Sequence, residues 1–255
     1  MAYFEHLRVR TNFLVFAAFV LAIATLVISV TLFHSKDIRI EIGSNHVHGI
    51  SVVFFTSLAA WGTALLATII AASLNRQRDH LAYTWTRPRD RSAIAAETIA
   101  VDLGYLIAMF LFIFAVELVC VAIIVQGRIP LVWHNAIPAF LRGFGLALMW
   151  YAMVQAATAW APFRGVVVSA VSWPVFIIVG SLEAVRFPAP WSTVITVLNV
   201  FNPMAYLSGT EIQKNGDVVL HSLLPFDDST RLALVYAISL AALAFAVFSW
   251  KRMEA

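Results

Sequence analysis

The chain has 255 residues, 61% hydrophobic and only 12% charged, with a formal net charge of +3. Soluble domains carry roughly a quarter of their residues as charges, so half that share, with 19 Phe and 8 Trp, excludes an ordinary water-soluble core and points to lipid as the main solvent. The basic residues sit in loops between apolar runs, which excludes a nucleic-acid-binding face, and the single cysteine, Cys120, excludes an intrachain disulfide or a cysteine metal cluster.

Residues 1–12 set Tyr3, Phe4 and Leu7 against Glu5, His6, Arg8 and Arg10. They read either as a short interfacial helix along the membrane surface or as the charged flank of a first span. A transmembrane helix needs about 20 mostly apolar residues. Six runs meet or approach that length: 13–33, 50–74, 98–125, 138–161, 165–185 and 232–250. They are too long and continuous for barrel strands, so the predicted fold is an all-α polytopic membrane protein with six transmembrane helices. Between the first two runs stand His34, His46 and His48. No acid or cysteine completes a metal set there, so a histidine-bearing loop is expected.

The stretch 75–97, NRQRDHLAYTWTRPRDRSAIAAE, is the most charged of the chain, with five arginines, three acids and one proline. Ser73 to Trp85 can continue as helix, which puts Leu81 and Trp85 on one face. Pro88 disfavours helix at Arg87, and Asp90 can cap a new helix from Arg91 onward. The expected product is helix, sharp bend, helix, with arginines at the bend. Arginine-rich loops also arise from membrane insertion alone, so charge by itself assigns no role.

The third run contains Asp102 and Glu117. Ionisable groups at that depth are costly and mark function by default. Asp102 is near the run's beginning and can reach water or a neighbouring arginine. Glu117 is deeper, and Arg142 lies at a comparable depth in the next run, so the two are candidates for a structural pair between adjacent helices. Gly143-Phe144-Gly145 follows no soluble strand and is not a nucleotide fingerprint. Pro174 should kink the fifth run, and Gly180 permits close packing there. Residues 186–231 form the longest loop. Its apolar stretch from Trp191 to Gly209 is interrupted by Pro203 and reads as short re-entrant or interfacial helices, which membrane depth tolerates only where protein or water covers them.

Six spans put both termini on one side. The loops on that side carry ten basic and five acidic residues, net +5; the other side carries seven of each. The positive-inside rule makes the first side cytoplasmic, so both termini and the elbow at 75–97 are expected in the cytoplasm.

In order and placement these features resemble type 2 ABC exporter permeases. Leu81 followed by Pro88-Arg89-Asp90-Arg91 resembles that family's cytoplasmic elbow, in which a leucine-rich turn and Pro-x-x-Arg lead into the third span. Asn202-Pro203-x-x-Tyr206 resembles the Asn-Pro-x-x-Tyr segment of the family's last external loop. The six-span layout also matches. The sequence departs from the pattern at Asn75, Asp79 and His80, where an acid and Gly-Thr are common, and at Glu97 and Thr98, where a basic residue is common. The resemblance implies that the elbow is a coupling helix, with Leu81, Trp85, Arg87, Pro88 and Arg91 docking into a separate ATP-binding subunit. It implies a second copy, or a similar permease, to complete the pathway. It also implies a location in a bacterial cytoplasmic membrane. No Gly-x-x-x-x-Gly-Lys-Ser/Thr occurs in the chain, so ATP and Mg are expected on the partner subunit, with no cofactor in this chain. Two other classes compete. An intramembrane enzyme needs a nucleophile or metal with a base beside it, and the six runs contain no histidine and no Gly-x-Ser-x-Gly. A partner-free secondary carrier commonly shows an inverted repeat, and none is visible.

Overall fold

A computed structural model describes residues 2–34, 50–76, 91–125, 131–133, 136–160, 165–182, 187–206, 210–212, 218–220, 224 and 226–252. The first helix, α1 (Ala2–His34), runs unbroken for 33 residues. No glycine or proline interrupts it, so residues 2–12 extend the first span and form no separate interfacial helix. Next come α2 (Val52–Arg76), α3 (Arg91–Val125), α4 (Ala136–Trp160) and α5 (Gly165–Leu182, with Pro174 inside). Short α6 (Trp191–Val200) leads to a 3-10 turn at Pro203–Tyr206, and α7 (Asp228–Arg252) ends the chain. α3 starts at Arg91, seven residues before the apolar run begins.

Four of these helices are long and apolar enough to cross a membrane: Glu5–Thr31, Ser92–Ile124, Ala136–Thr158 and Ser229–Ser249. α2 and α5 contribute the shorter apolar stretches Phe55–Ala71 and Ala170–Leu182. The chain is thus a helical membrane protein. Two very short strand pairs accompany the helices, and the sequence reading placed neither. β1 (Ile50–Ser51) pairs in parallel with β2 (Leu131–Val132), and β3 (Thr210–Ile212) pairs antiparallel with β4 (Val218–Leu220). The second pair lies in the long segment expected to hold only short helices.

The first strand pair precedes α2 and α4 and sets their starts at one end of the bundle. Tyr236, near the start of α7, donates to the Leu141 carbonyl at 2.9 Å and brings that helix to the same end. At the opposite end, Arg8 of α1 meets Ile70 near the end of α2. Successive long helices therefore alternate in direction.

The helix at the centre is α2. Ala59, Ala60, Ala64, Ala67 and Ala71 are buried beside Leu66 and Ile70, and small side chains let helices approach closely where lipid offers no hydrophobic drive for association. The paired glycines of α4 work in the same way. A Cβ on Gly143 would fall 2.7 Å from the Thr56 carbonyl oxygen of α2, and one on Gly145 would fall 2.7 Å from Val235 of α7. Edge-to-face rings fill the space beside them: Phe110 lies against Phe140 at 4.8 Å and Phe144 at 5.8 Å. The hydroxyl of Thr68 accepts both indole N–H groups of Trp150 and Trp173, at 3.0 and 3.1 Å, and donates to the Ala64 carbonyl. Three polar groups are thereby satisfied inside an apolar layer.

Candidate functional site

A buried charge centre joins four helices at the end of the bundle that holds the start of α1. Asp102 is fully buried and Arg8 is 9% exposed. Arg8 Nη2 donates to Asp102 Oδ1 at 3.1 Å and also bonds Glu5, one turn back on α1. Its Nε donates to Glu5 at 2.8 Å and its Nη1 to the Ile70 carbonyl at 2.9 Å. The other oxygen of Asp102 accepts from the Tyr151 hydroxyl at 2.7 Å and, at 3.5 Å, from the Gln155 amide, which also donates to Tyr151. One guanidinium thus serves two carboxylates and a main-chain carbonyl. Such a buried ion pair is tolerated where further hydrogen bonds saturate it, and charge-assisted bonds are the strong ones.

Sequence reasoning found Asp102 and counted Arg8 as a loop charge on the positive side. The structure turns that arginine into the bundle as Asp102's partner. Tyr151 and Gln155 escaped the reading, although their i, i+4 spacing puts two polar side chains on one face of an apolar helix. Beside the centre, the Tyr105 hydroxyl and His6 Nδ1 share a hydrogen bond of 2.7 Å on the exposed edge between α1 and α3.

The deepest acid of α3 is different. Glu117 and Arg142 form no ion pair, and both Glu117 carboxylate oxygens are buried with no hydrogen-bond partner among the described residues. Arg142 Nε points to the Pro138 carbonyl of its own helix at 3.4 Å. The expected pair is therefore not formed. Glu117 continues the stripe Leu106, Met109, Ile113 along α3, while Arg142 turns along α4.

The Asn-Pro-x-x-Tyr segment builds a compact polar turn after α6. Asn202 is 1% exposed. Its amide nitrogen donates to the Phe176 carbonyl of α5 at 2.9 Å and to Asn199 at 3.1 Å, and its oxygen accepts from the Met204 N–H at 3.1 Å. Pro203 opens the 3-10 turn and is buried. Tyr206 closes it by donating to the Val200 carbonyl at 2.8 Å, and burial pushes its phenol up to about 12, so it stays a donor. A Cβ on Gly180 would sit 3.4 Å from the Asn202 amide, which places that glycine where α5 receives the turn.

Leu81, Trp85, Arg87 and Pro88 lie outside the described residues. Arg91 opens α3. His46 and His48 are also outside the described residues. The helix ends that flank the elbow belong to the end of the bundle that carries the Arg8–Asp102 centre, since Ile70 and Asp102 both meet Arg8 there. No protein-family model, curated protein or solved structure matches the chain.

Proposed function

We propose that the chain is the permease subunit of an ATP-binding cassette exporter, driven by a separate ATP-binding subunit and working as a pair of permeases around one pathway. In this reading α1, α2, α3, α4, α5 and α7 are six spans, both termini are cytoplasmic, and 77–90 is the coupling elbow. The observation that carries it is the elbow's placement. Pro88-x-x-Arg91 stands in sequence between α2 and α3, Arg91 is the first residue of the new helix, and the adjoining parts of α2 and α3 meet Arg8 at the end of the bundle that holds the start of α1. The compact turn at Asn202-Pro203-x-x-Tyr206, seated on α5, supports the same reading from the opposite side. ATP and Mg belong to the partner in this scheme, and this chain supplies docking and pathway. Docking makes substrate and nucleotide sites thermodynamically reciprocal.

Co-expression with candidate ATP-binding subunits from the same genome tests the proposal. A tagged chain should retain one such subunit through purification in lipid nanodiscs and raise its ATPase rate. Arg91→Glu and disruption of Pro88 should remove both effects while membrane insertion stays normal. Unchanged copurification and ATPase stimulation in those variants would sink the elbow assignment.

A further inference from the structure

Of the two acids deeper in α3, Asp102 and Glu117, only Asp102 has partners among the described residues. Each Glu117 carboxylate oxygen exposes less than 1 Å² and has no hydrogen-bond partner among the described residues. Buried polar groups are nearly always paired, and an isolated charged carboxylate is among the costliest groups to hold in hydrocarbon. The orphan therefore calls for a partner that the surrounding helices do not supply.

The titratable groups around it are few. α3 packs against α1, α2, α4 and α7. α1 has no ionisable side chain from Asn12 to Phe33, and α2 has none from Val52 to Asn75. α4 offers Arg142, engaged with its own helix, and Tyr151, bonded to Asp102 at the other end. At the start of α7, Arg231 Nε donates to the Phe226 carbonyl and Tyr236 donates to Leu141; Asp228 can only add negative charge, and Lys251 and Arg252 stand at the far end of that helix. On α3 itself the next titratable group is Cys120, one turn on and also no cation. Among the described residues, ion pairs form only at Arg8.

We propose that Glu117 is a proton-binding site inside the membrane-spanning bundle, a carboxyl group that holds a proton in the folded protein and exchanges it. A proton is the one partner that requires neither a donor side chain nor a cavity. The neutral acid removes the charge that hydrocarbon penalises and keeps the shape the bundle encloses. This site belongs to the chain alone and does not rest on the ATP-binding partner, so its test is independent of the elbow.

Dicyclohexylcarbodiimide distinguishes Glu117 from Asp102. The reagent takes the acid's proton onto one nitrogen while the carboxylate oxygen adds to its central carbon, and the O-acylisourea rearranges to a stable N-acylurea with nothing leaving. The purified chain in lipid nanodiscs is treated, digested and mapped by mass spectrometry. The expected result is an adduct on Glu117 at neutral pH, its loss as the pH is made alkaline, its absence in Glu117→Gln, and no adduct on Asp102. No adduct on Glu117, or one indifferent to pH, overturns the proposal. So does suppression by sodium chloride but not choline chloride at fixed pH, which would show a metal cation as the occupant. Thermal unfolding gives a second reading. Glu117→Gln, the neutral isostere, should keep its melting temperature, and a fall comparable to that of Asp102→Asn would show a charged, paired carboxylate and overturn the assignment.

Discussion

Asp102 and Glu117 stand fifteen residues apart on one helix and both lie on its inward side. Asp102 is met by an arginine, a tyrosine and a glutamine from two other helices. Among the described residues, Glu117 is met by nothing that donates a hydrogen bond. The same chemistry at two positions of one helix thus has two outcomes, and the difference lies entirely in what distant segments bring. A saturated acid ties helices together. An orphan acid must change its own state, and that leaves it responsive to the medium.

The comparison predicts a wide gap in stability. Asp102→Ala removes a carboxylate from the buried Arg8 guanidinium, and should cost about 3–5 kcal/mol, read as loss of folded yield or a lowered melting temperature in nanodiscs. An unchanged melting temperature would erase the distinction between the two acids. Replacing both partners, Arg8→Met with Asp102→Leu, should recover part of that loss, because the fully buried charge is gone and only the partly exposed Glu5 loses its arginine; a double variant as unstable as the sum of the single ones would show that the two residues act separately. Tyr151→Phe removes one donor while Gln155 remains, and should cost about 1–2 kcal/mol by the same assay. Glu117→Gln should stay within about 0.5 kcal/mol of the parent.

A third carboxylate, in water, sharpens the contrast with the smallest effect. Asp227 caps α7: its side chain accepts from the Thr230 N–H at 3.2 Å, the Thr230 hydroxyl at 2.5 Å and the Ser229 hydroxyl. These donors hold its carboxyl well below the usual range. A group with a depressed folded value stabilises above its unfolded value, and that contribution is lost as the pH falls through the folded one. Asp227→Ala should therefore lower the melting temperature slightly at neutral pH, with the difference closing only in strong acid. A difference that persists there would assign the effect to something other than the carboxylate.

The residues legible in the sequence are those whose environment is local. Apolar length announced the long helices, and Pro88 with Asp90 announced the start of α3 at Arg91. Pro203 announced an interruption between short helical pieces, and the turn found there satisfies itself largely from its own neighbours and one carbonyl of α5. Pairing was not legible, because it depends on helix rotation and on contacts across the bundle. Arg8 and Asp102 are 94 residues apart, and nothing in the loop-charge count distinguishes an arginine facing water from one facing a buried acid. Depth matched Glu117 with Arg142, but depth fixes only one of two coordinates, and the azimuth of each side chain separated them. Strand pairs of two or three residues carry too little periodicity to register at all.

The Arg8 guanidinium takes the Ile70 carbonyl with one nitrogen and the Asp102 carboxylate with another. Those residues belong to the two helices that the 77–90 segment connects. Along their axes they lie about 9 Å from Arg76 and about 16 Å from Arg91. The α2 and α3 helices are thus held to a single side chain of a third helix, as the arms of a clamp share one pivot. Asp102→Ala would remove the link to α3 and leave the link to α2.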